Sequence, residues 1–171
     1  LRAGAGDDTL HGGEGSDSLY GGDGDDVLYS SSVSTLMDGG QGLDRYVIGS
    51  TGVHTISGFG QAQDIVEFDA SIRPQDVVVR DGVMLVTSGS SLSARSSVKF
   101  DSLLSSGLAF GSVRFASSPS TVWTIADLQQ MALTGGWEND TLSGFAGQNN
   151  VMSGGAGYDR LIGSTGNDTL D

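Results

Sequence analysis

A large apolar residue returns every nine positions through the first part of the chain, at Leu10, Leu19, Leu28, Met37 and Tyr46. Each sits at the centre of a triplet such as Ser18-Leu19-Tyr20 or Arg45-Tyr46-Val47. Side chains alternate between faces along a strand, so the central residue turns inward and its neighbours outward. Such triplets predict very short strands. Two nine-residue units on opposite sides would make one coil, and the apolar residues would then stack into a thin core between two parallel sheets. The spacing is met again near the other end, at Leu161 and Leu170, and with one extra residue between Leu142 and Leu161.

What lies between the triplets is as regular. Residues 12–20 read GGEGSDSLY and residues 21–29 read GGDGDDVLY. AGAGDDTLH (3–11) and GGQGLDRYV (39–47) fit the same frame, as do GGWENDTLS (135–143), GGAGYDRLI (154–162) and GSTGNDTLD (163–171). SSSVSTLMD (30–38) and IGSTGVHTI (48–56) keep the phase in degenerate form. GFAGQNNVM (144–152) is followed by one extra residue, Ser153, which leaves its register open by one position. Glycine permits the positive φ of a tight turn. The sixth place carries Asp8, Asp17, Asp26, Asp44, Asp140, Asp159 and Asp168. A single Asp-Gly turn would read as solvated. Phased repetition instead predicts stacked carboxylates along the edges of the coil, whereas the fifth-place acids Asp7 and Asp25 are expected to face solvent.

The phase is lost after residue 56. Residues 57–68 read as edge strands with a turn. DVVVRDGVMLVTS (76–88) predicts a hairpin about Asp81-Gly82. The Ser-rich stretch 88–97 predicts a loop, and SVKF (97–100) and SVRFAS (112–117) predict strands. Thr124-Ile125-Ala126-Asp127 is a capping-box pattern opening a short helix that ends near Leu133. Its buried face would be Ile125, Leu128 and Met131 or Ala132. Phe68, Phe100, Phe115 and Trp123 are the candidate core aromatics.

Charge then narrows the chemistry. The 171 residues carry 21 acidic and 8 basic side chains, a formal net charge of −13. Such a surface repels phosphate backbones, so nucleic acid is an unsuitable partner, and anionic membranes are disfavoured. A hydrophobic fraction of 37% is low for an apolar core to hold the chain alone. Oxygen-rich acidic turns suit the hard cation Ca²⁺. There is no cysteine, hence no disulfide framework and no thiolate metal site. No apolar run reaches the ~20 residues that span a bilayer, and Leu1-Arg2-Ala3 opens no signal peptide. The chain begins and stops inside repeats, which is expected of a piece of something longer. There is no G-x-S-x-G, no P-loop and no triad spacing about His11 or His54, so no catalytic residue is assigned and no enzyme is expected. Trp137 and Tyr158 fall on turns and are read as exposed aromatics.

The nonapeptide GGxGxDxUx, with U a large apolar residue, is a known signature of calcium-binding β-helices. The chain resembles the RTX, or haemolysin-type, calcium-binding repeat family. The phrases DIVEF, DVVVRDG and TVWTIADL resemble the haemolysin-type calcium-binding protein related segment found between RTX blocks. The resemblance implies an all-β fold: parallel β-roll blocks at 1–58 and 134–171 flanking a small β-rich module at 59–133, with one short helix near 125–133. It also implies several Ca²⁺ ions, each between the turn of one repeat and that two repeats later. The earlier turn gives the carbonyls of its second and fourth residues and its Asp. The later gives the carbonyls of its first and third residues and its Asp.

Carried over, one site uses Gly4, Gly6 and Asp8 with Gly21, Asp23 and Asp26. A second uses Gly22, Gly24 and Asp26 with Gly39, Gln41 and Asp44. A third uses Gly136, Glu138 and Asp140 with Gly154, Ala156 and Asp159. A weaker fourth pairs Gly147 and Asn149 with Gly163, Thr165 and Asp168. Gly13, Gly15 and Asp17 form the half of a row whose partner place holds Thr35. The implied function is a non-catalytic calcium-binding module of a large secreted or surface-associated bacterial protein, a toxin or adhesin for example, which folds on Ca²⁺ after type I export beside neighbouring RTX blocks. The alternative is a calcium-dependent recognition module for a host surface or glycan.

Overall fold

The computed structural model describes residues 1–57, 63–80, 83–88, 91–100 and 110–171. The chain divides into two units, residues 1–125 and 126–171.

In the first unit the triplets do form strands, and successive strands alternate between two sheets. One sheet holds β1 (Arg2–Ala5), β3 (Ser16–Asp23), β5 (Ser34–Gln41) and β7 (Gly52–Ser57) in parallel order. The other holds β2 (Thr9–His11), β4 (Val27–Tyr29), β6 (Arg45–Ile48) and β8 (Asp64–Phe68), also parallel. Equivalent residues pair one coil apart, Gly4 with Gly22 and Gly22 with Gly40. The fold is a parallel β-solenoid of the β-roll type. Its core is the facing ladders of inward residues, Leu10, Leu28, Tyr46 and Val66 from one sheet and Leu19, Met37 and Ile56 from the other. All are buried.

The degenerate repeat at 48–56 does not keep the phase. Ser34 pairs with Val53 and Arg45 with Ile65, so these coils are longer by one and two residues than the 18 that separate Gly4 from Gly22. Ile48 remains in β6 with its side chain fully buried. The chain therefore enters its turn one residue late.

The middle of the chain extends both sheets. Strands β9 (Val77–Arg80) and β10 (Val83–Ser88) pair antiparallel as the hairpin pattern predicts, although Asp81 and Gly82 lie outside the described residues. From Ser91 on, the Ser-rich stretch is a strand and not a loop, while residues 89 and 90 lie outside the described residues. It belongs to β11 (Ser91–Phe100), which pairs parallel with β7 and antiparallel with β10. Two strand edges carrying unpaired N–H and C=O groups outweigh the weak strand preference of serine. Strand β12 (Phe110–Phe115) pairs parallel with β8, and β13 (Val122–Trp123) runs antiparallel beyond it. Each parallel stack is thus finished by antiparallel strands, which protects an otherwise open edge. Phe68 stacks on Phe115, and Trp123 meets Phe115 edge-on at 4.6 Å between centroids. Phe100 is placed on β11.

The helix α1 spans Ile125–Ala132, with Leu128 its buried residue. In the second unit β14 (Thr141–Ser143) pairs parallel with β16 (Arg160–Ile162), and β15 (Val151–Met152) with β17 (Thr169–Leu170). Leu133, Leu142 and Met152 make its core, with Phe145 and Leu161 against them. Leu170 departs from the inward pattern: β17 pairs with β15 alone, and the side chain is 49% exposed.

Tyr46 gives a direct check on this core. Its ring is buried, and its hydroxyl oxygen accepts the backbone N–H of Gly39 at 3.0 Å. Tyr46→Phe should cost about 1–3 kcal/mol by leaving that buried N–H unpaired. Tyr158→Phe, at a ring 91% exposed, should change stability by less than about 0.5 kcal/mol. Urea unfolding in saturating calcium reads both, and equal effects would contradict the assignment.

Candidate metal centre

The sixth-place residues stand in columns. On one edge of the first unit the backbone N–H of Asp8 donates to Asp26 Oδ1 at 2.8 Å, and that of Asp26 to Asp44 Oδ1 at 3.0 Å. The column continues one step beyond the recognisable repeats, because Asp44 N–H donates to Asp64 Oδ1 at 3.0 Å. Asp64 is buried. It was not among the residues singled out from sequence, since its coil is longer and no GGxG precedes it. The available signal was Asp64-Ile65-Val66, which reads as the D-x-U tail of a repeat.

These bonds account for one carboxylate oxygen of Asp26, Asp44 and Asp64. The second oxygens of Asp26 and Asp44 are buried without a hydrogen-bond partner. Two glycines show what surrounds them. A Cβ on Gly39 would lie 2.0 Å from Asp44 Oδ2, so no other residue can stand beside that oxygen. A Cβ on Gly21 would lie 2.1 Å from Asp26 Oδ2 and 2.5 Å from the Gly39 carbonyl oxygen of the next coil. Carbonyl and carboxylate oxygens thus crowd a space that side chains cannot enter.

The electrostatics match. Burial pushes the Asp26 carboxyl above its ordinary range, opposed by the Asp8 N–H and reinforced by the negative charges of Asp8, Asp7 and Asp25. Burial, again opposed by a backbone N–H and reinforced by Asp26, Asp25 and Asp38, pushes Asp44 up to about 6. A buried, bare carboxylate oxygen among like charges calls for a cation. Among the described residues, no three or more His, Cys, Asp or Glu side chains gather as a metal site. The groups that crowd these turns are carboxylate and backbone carbonyl oxygens. That all-oxygen set suits Ca²⁺ and not zinc.

Asp7 and Asp25 are exposed, as expected, yet they are engaged. Asp25 N–H donates to Asp7 Oδ1 at 2.9 Å, and Leu43 N–H to Asp25 Oδ1 at 2.7 Å. This second zipper runs in the opposite sense to the first.

The other edge differs. Asp17 pairs with Thr35, and Thr35 with His54. Asp17 Oδ2 lacks a partner, but the next turn is closed by its own side chains. Thr35 Oγ1 accepts the Ser31 N–H at 2.7 Å and lies 2.9 Å from Ser31 Oγ, which in turn donates to the Ser34 carbonyl. His54 is fully buried in the aspartate place, with Nε2 3.1 Å from the Thr51 carbonyl. Burial lowers its pKa. His11 stacks on Tyr29 on the outer face of β2 and β4.

In the second unit Asp140 N–H donates to Asp159 Oδ1 at 2.8 Å, and Asp140 Oδ2 accepts the Gly136 N–H. Gly154 stands beside Asp159 Oδ2, and Gly163 beside Asp168 Oδ2. The register left open by Ser153 is settled. Asn150, not Asn149, occupies the aspartate column, with its N–H donating to Asp168 Oδ1. Asn149 takes the fifth place, where its side-chain oxygen accepts the Asn167 N–H. The extra residue lies inside the turn between Phe145 and Gln148, because Gly144 stacks on Gly163 and Gln148 on Gly166.

Without metal, raised carboxyls make the fold acid-favoured. A carboxyl whose folded value exceeds its unfolded one keeps its proton longer in the fold. In chelator, stability should therefore fall as pH rises from about 4 to about 6, the interval between the ordinary value and that of Asp44. With calcium the sign reverses, because the metal binds only the deprotonated form. Thermal unfolding in chelator across that interval checks this, and stability that rises with pH there would contradict it.

No curated protein matches the chain. The family model for the RTX calcium-binding nonapeptide repeat matches residues 1–32 and 146–171, in four copies. The columns of aspartates, the crowded turns and this match agree: both ends of the chain carry the RTX calcium-binding nonapeptide repeat, and such repeats bind several Ca²⁺ ions.

Proposed function

We propose that the chain is a non-catalytic module of a large secreted bacterial protein, exported unfolded by a type I system and folded outside by calcium. The observation that carries this is the pair of bare, buried oxygens of Asp26 and Asp44. At low cytosolic calcium the stacked carboxylates disfavour the coil. Bound Ca²⁺ supplies the positive charge that lets them stack, so metal binding free energy becomes folding free energy. Extracellular calcium modules bind at ~10⁻⁴–10⁻³ M, which suits such a switch.

In this reading Gly4, Gly6 and Asp8 face Gly21, Asp23 and Asp26 about one ion. Gly22, Gly24 and Asp26 face Gly39, Gln41 and Asp44 about a second, and Gly136, Glu138 and Asp140 face Gly154, Ala156 and Asp159 about a third. The glycines, Asp23, Gln41, Glu138 and Ala156 contribute carbonyls. Asp44 and Asp64 extend the row by a further pair of carboxylates. Gly13, Gly15 and Asp17 hold an ion weakly or not at all, since Thr35 and Ser31 already satisfy one another.

A second reading, calcium-dependent recognition of a glycan or host surface, draws support from Trp137 and Tyr158. Both rings are exposed, at 69% and 91%, on turns of the second unit. Saturable glycan binding lost in Trp137→Ala and in chelator would favour it. Binding unaffected by either would exclude it.

The first reading makes a sharp expectation. Titrating Ca²⁺ into chelated protein should raise strand circular dichroism cooperatively. Mg²⁺, which demands six short octahedral contacts, should do so poorly. Asp26→Ala should raise the calcium midpoint by at least about tenfold, and by more than Asp17→Ala does, because Asp26 serves two sites. An unchanged midpoint in Asp26→Ala would defeat the ligand assignment.

A further inference from the structure

One rung of the second unit carries an amide where the pattern calls for a carboxylate. Asn150 is 3% exposed. Its Oδ1 accepts the Phe145 N–H at 2.9 Å, which fixes the orientation of the amide. Its Nδ2 then lies 3.1 Å from the Phe145 carbonyl oxygen, 3.2 Å from that of Gln148 and 3.1 Å from that of Gly163. It also lies 2.7 Å from Asp168 Oδ1. Three carbonyls and a carboxylate, drawn from two successive coils, converge on a single nitrogen.

An amide group has two protons to give, and four acceptors surround it here. Such an excess of inward-pointing oxygens is the surrounding of a cation rather than of a hydrogen-bond donor. The same turn is one residue longer than its neighbours. The added length lets the Phe145 and Gln148 carbonyls both reach the amide.

We propose that the Asn150 side-chain amide takes the place of the metal ion in this rung. The turn at 144–150 then closes on the turn at 163–168 without calcium. The positive end of the amide dipole faces Asp168, so one carboxylate is left to satisfy in place of two. This rests on the calcium reading of the other rungs. It adds that a single side chain decides whether this rung holds an ion.

The test is Asn150→Asp in the full chain, with calcium per chain measured beside the parent protein by elemental analysis after equilibrium dialysis. The variant should bind one ion more than the parent. Ions in the parent with no gain in a folded variant would overturn the amide proposal and leave the calcium reading standing. No ions in either chain would overturn both. If the variant fails to fold, the parent protein still decides. In ¹⁵N spectra of the folded, calcium-loaded parent, the Asn150 side-chain protons should resist exchange. Freely exchanging Asn150 side-chain protons in that protein would overturn the amide proposal.

Discussion

Everything in the first unit depends on carboxylates held in line by the backbone. On one edge the sixth-place N–H donates to the carboxylate of the next coil, from Asp8 to Asp26 to Asp44 to Asp64. These bonds lock the register, because a slip of one residue would send every inward side chain outward. They also create the difficulty that the module is built around. Fixing Oδ1 brings Oδ2 of Asp26 and Asp44 into a buried place with no partner. Like charges one coil apart then oppose the same stacking that the hydrogen bonds favour. The apolar core between the sheets is thin, one inward residue per triplet, and cannot absorb that opposition by itself.

Where the aspartate is replaced, the protein supplies the missing partner from its own side chains. Thr35 and Ser31 bond one another across their turn. His54 reaches the Thr51 carbonyl. Asn150 places its amide nitrogen among four oxygens. The solenoid thus has two ways to close a turn, one with a divalent cation and one with a neutral donor. The distribution of aspartate along the columns decides which is used, rung by rung.

The period of nine, the inward residues from Leu10 to Tyr46, and the aspartate columns were legible in the sequence because each coil repeats the same local solution. The coils that stretch to 19 and 20 residues were not. There Ile48 and the residues before Asp64 add length without disturbing the hydrophobic ladder, and a fixed frame cannot register that. Asp64 was missed for this reason, and Asn150 was displaced to Asn149 because the extra residue sits inside the turn and not at Ser153. The strand at 91–100 was hidden by its serines. Its pairing comes from the open edges of the adjacent β10 and of β7, the latter far away in sequence.

The most direct test is anomalous diffraction from crystals of the chain grown with calcium. The account predicts ion peaks beside Asp26 Oδ2 and Asp44 Oδ2, each reached by carbonyls of two successive coils. An ordered roll with no ion at either oxygen would contradict it.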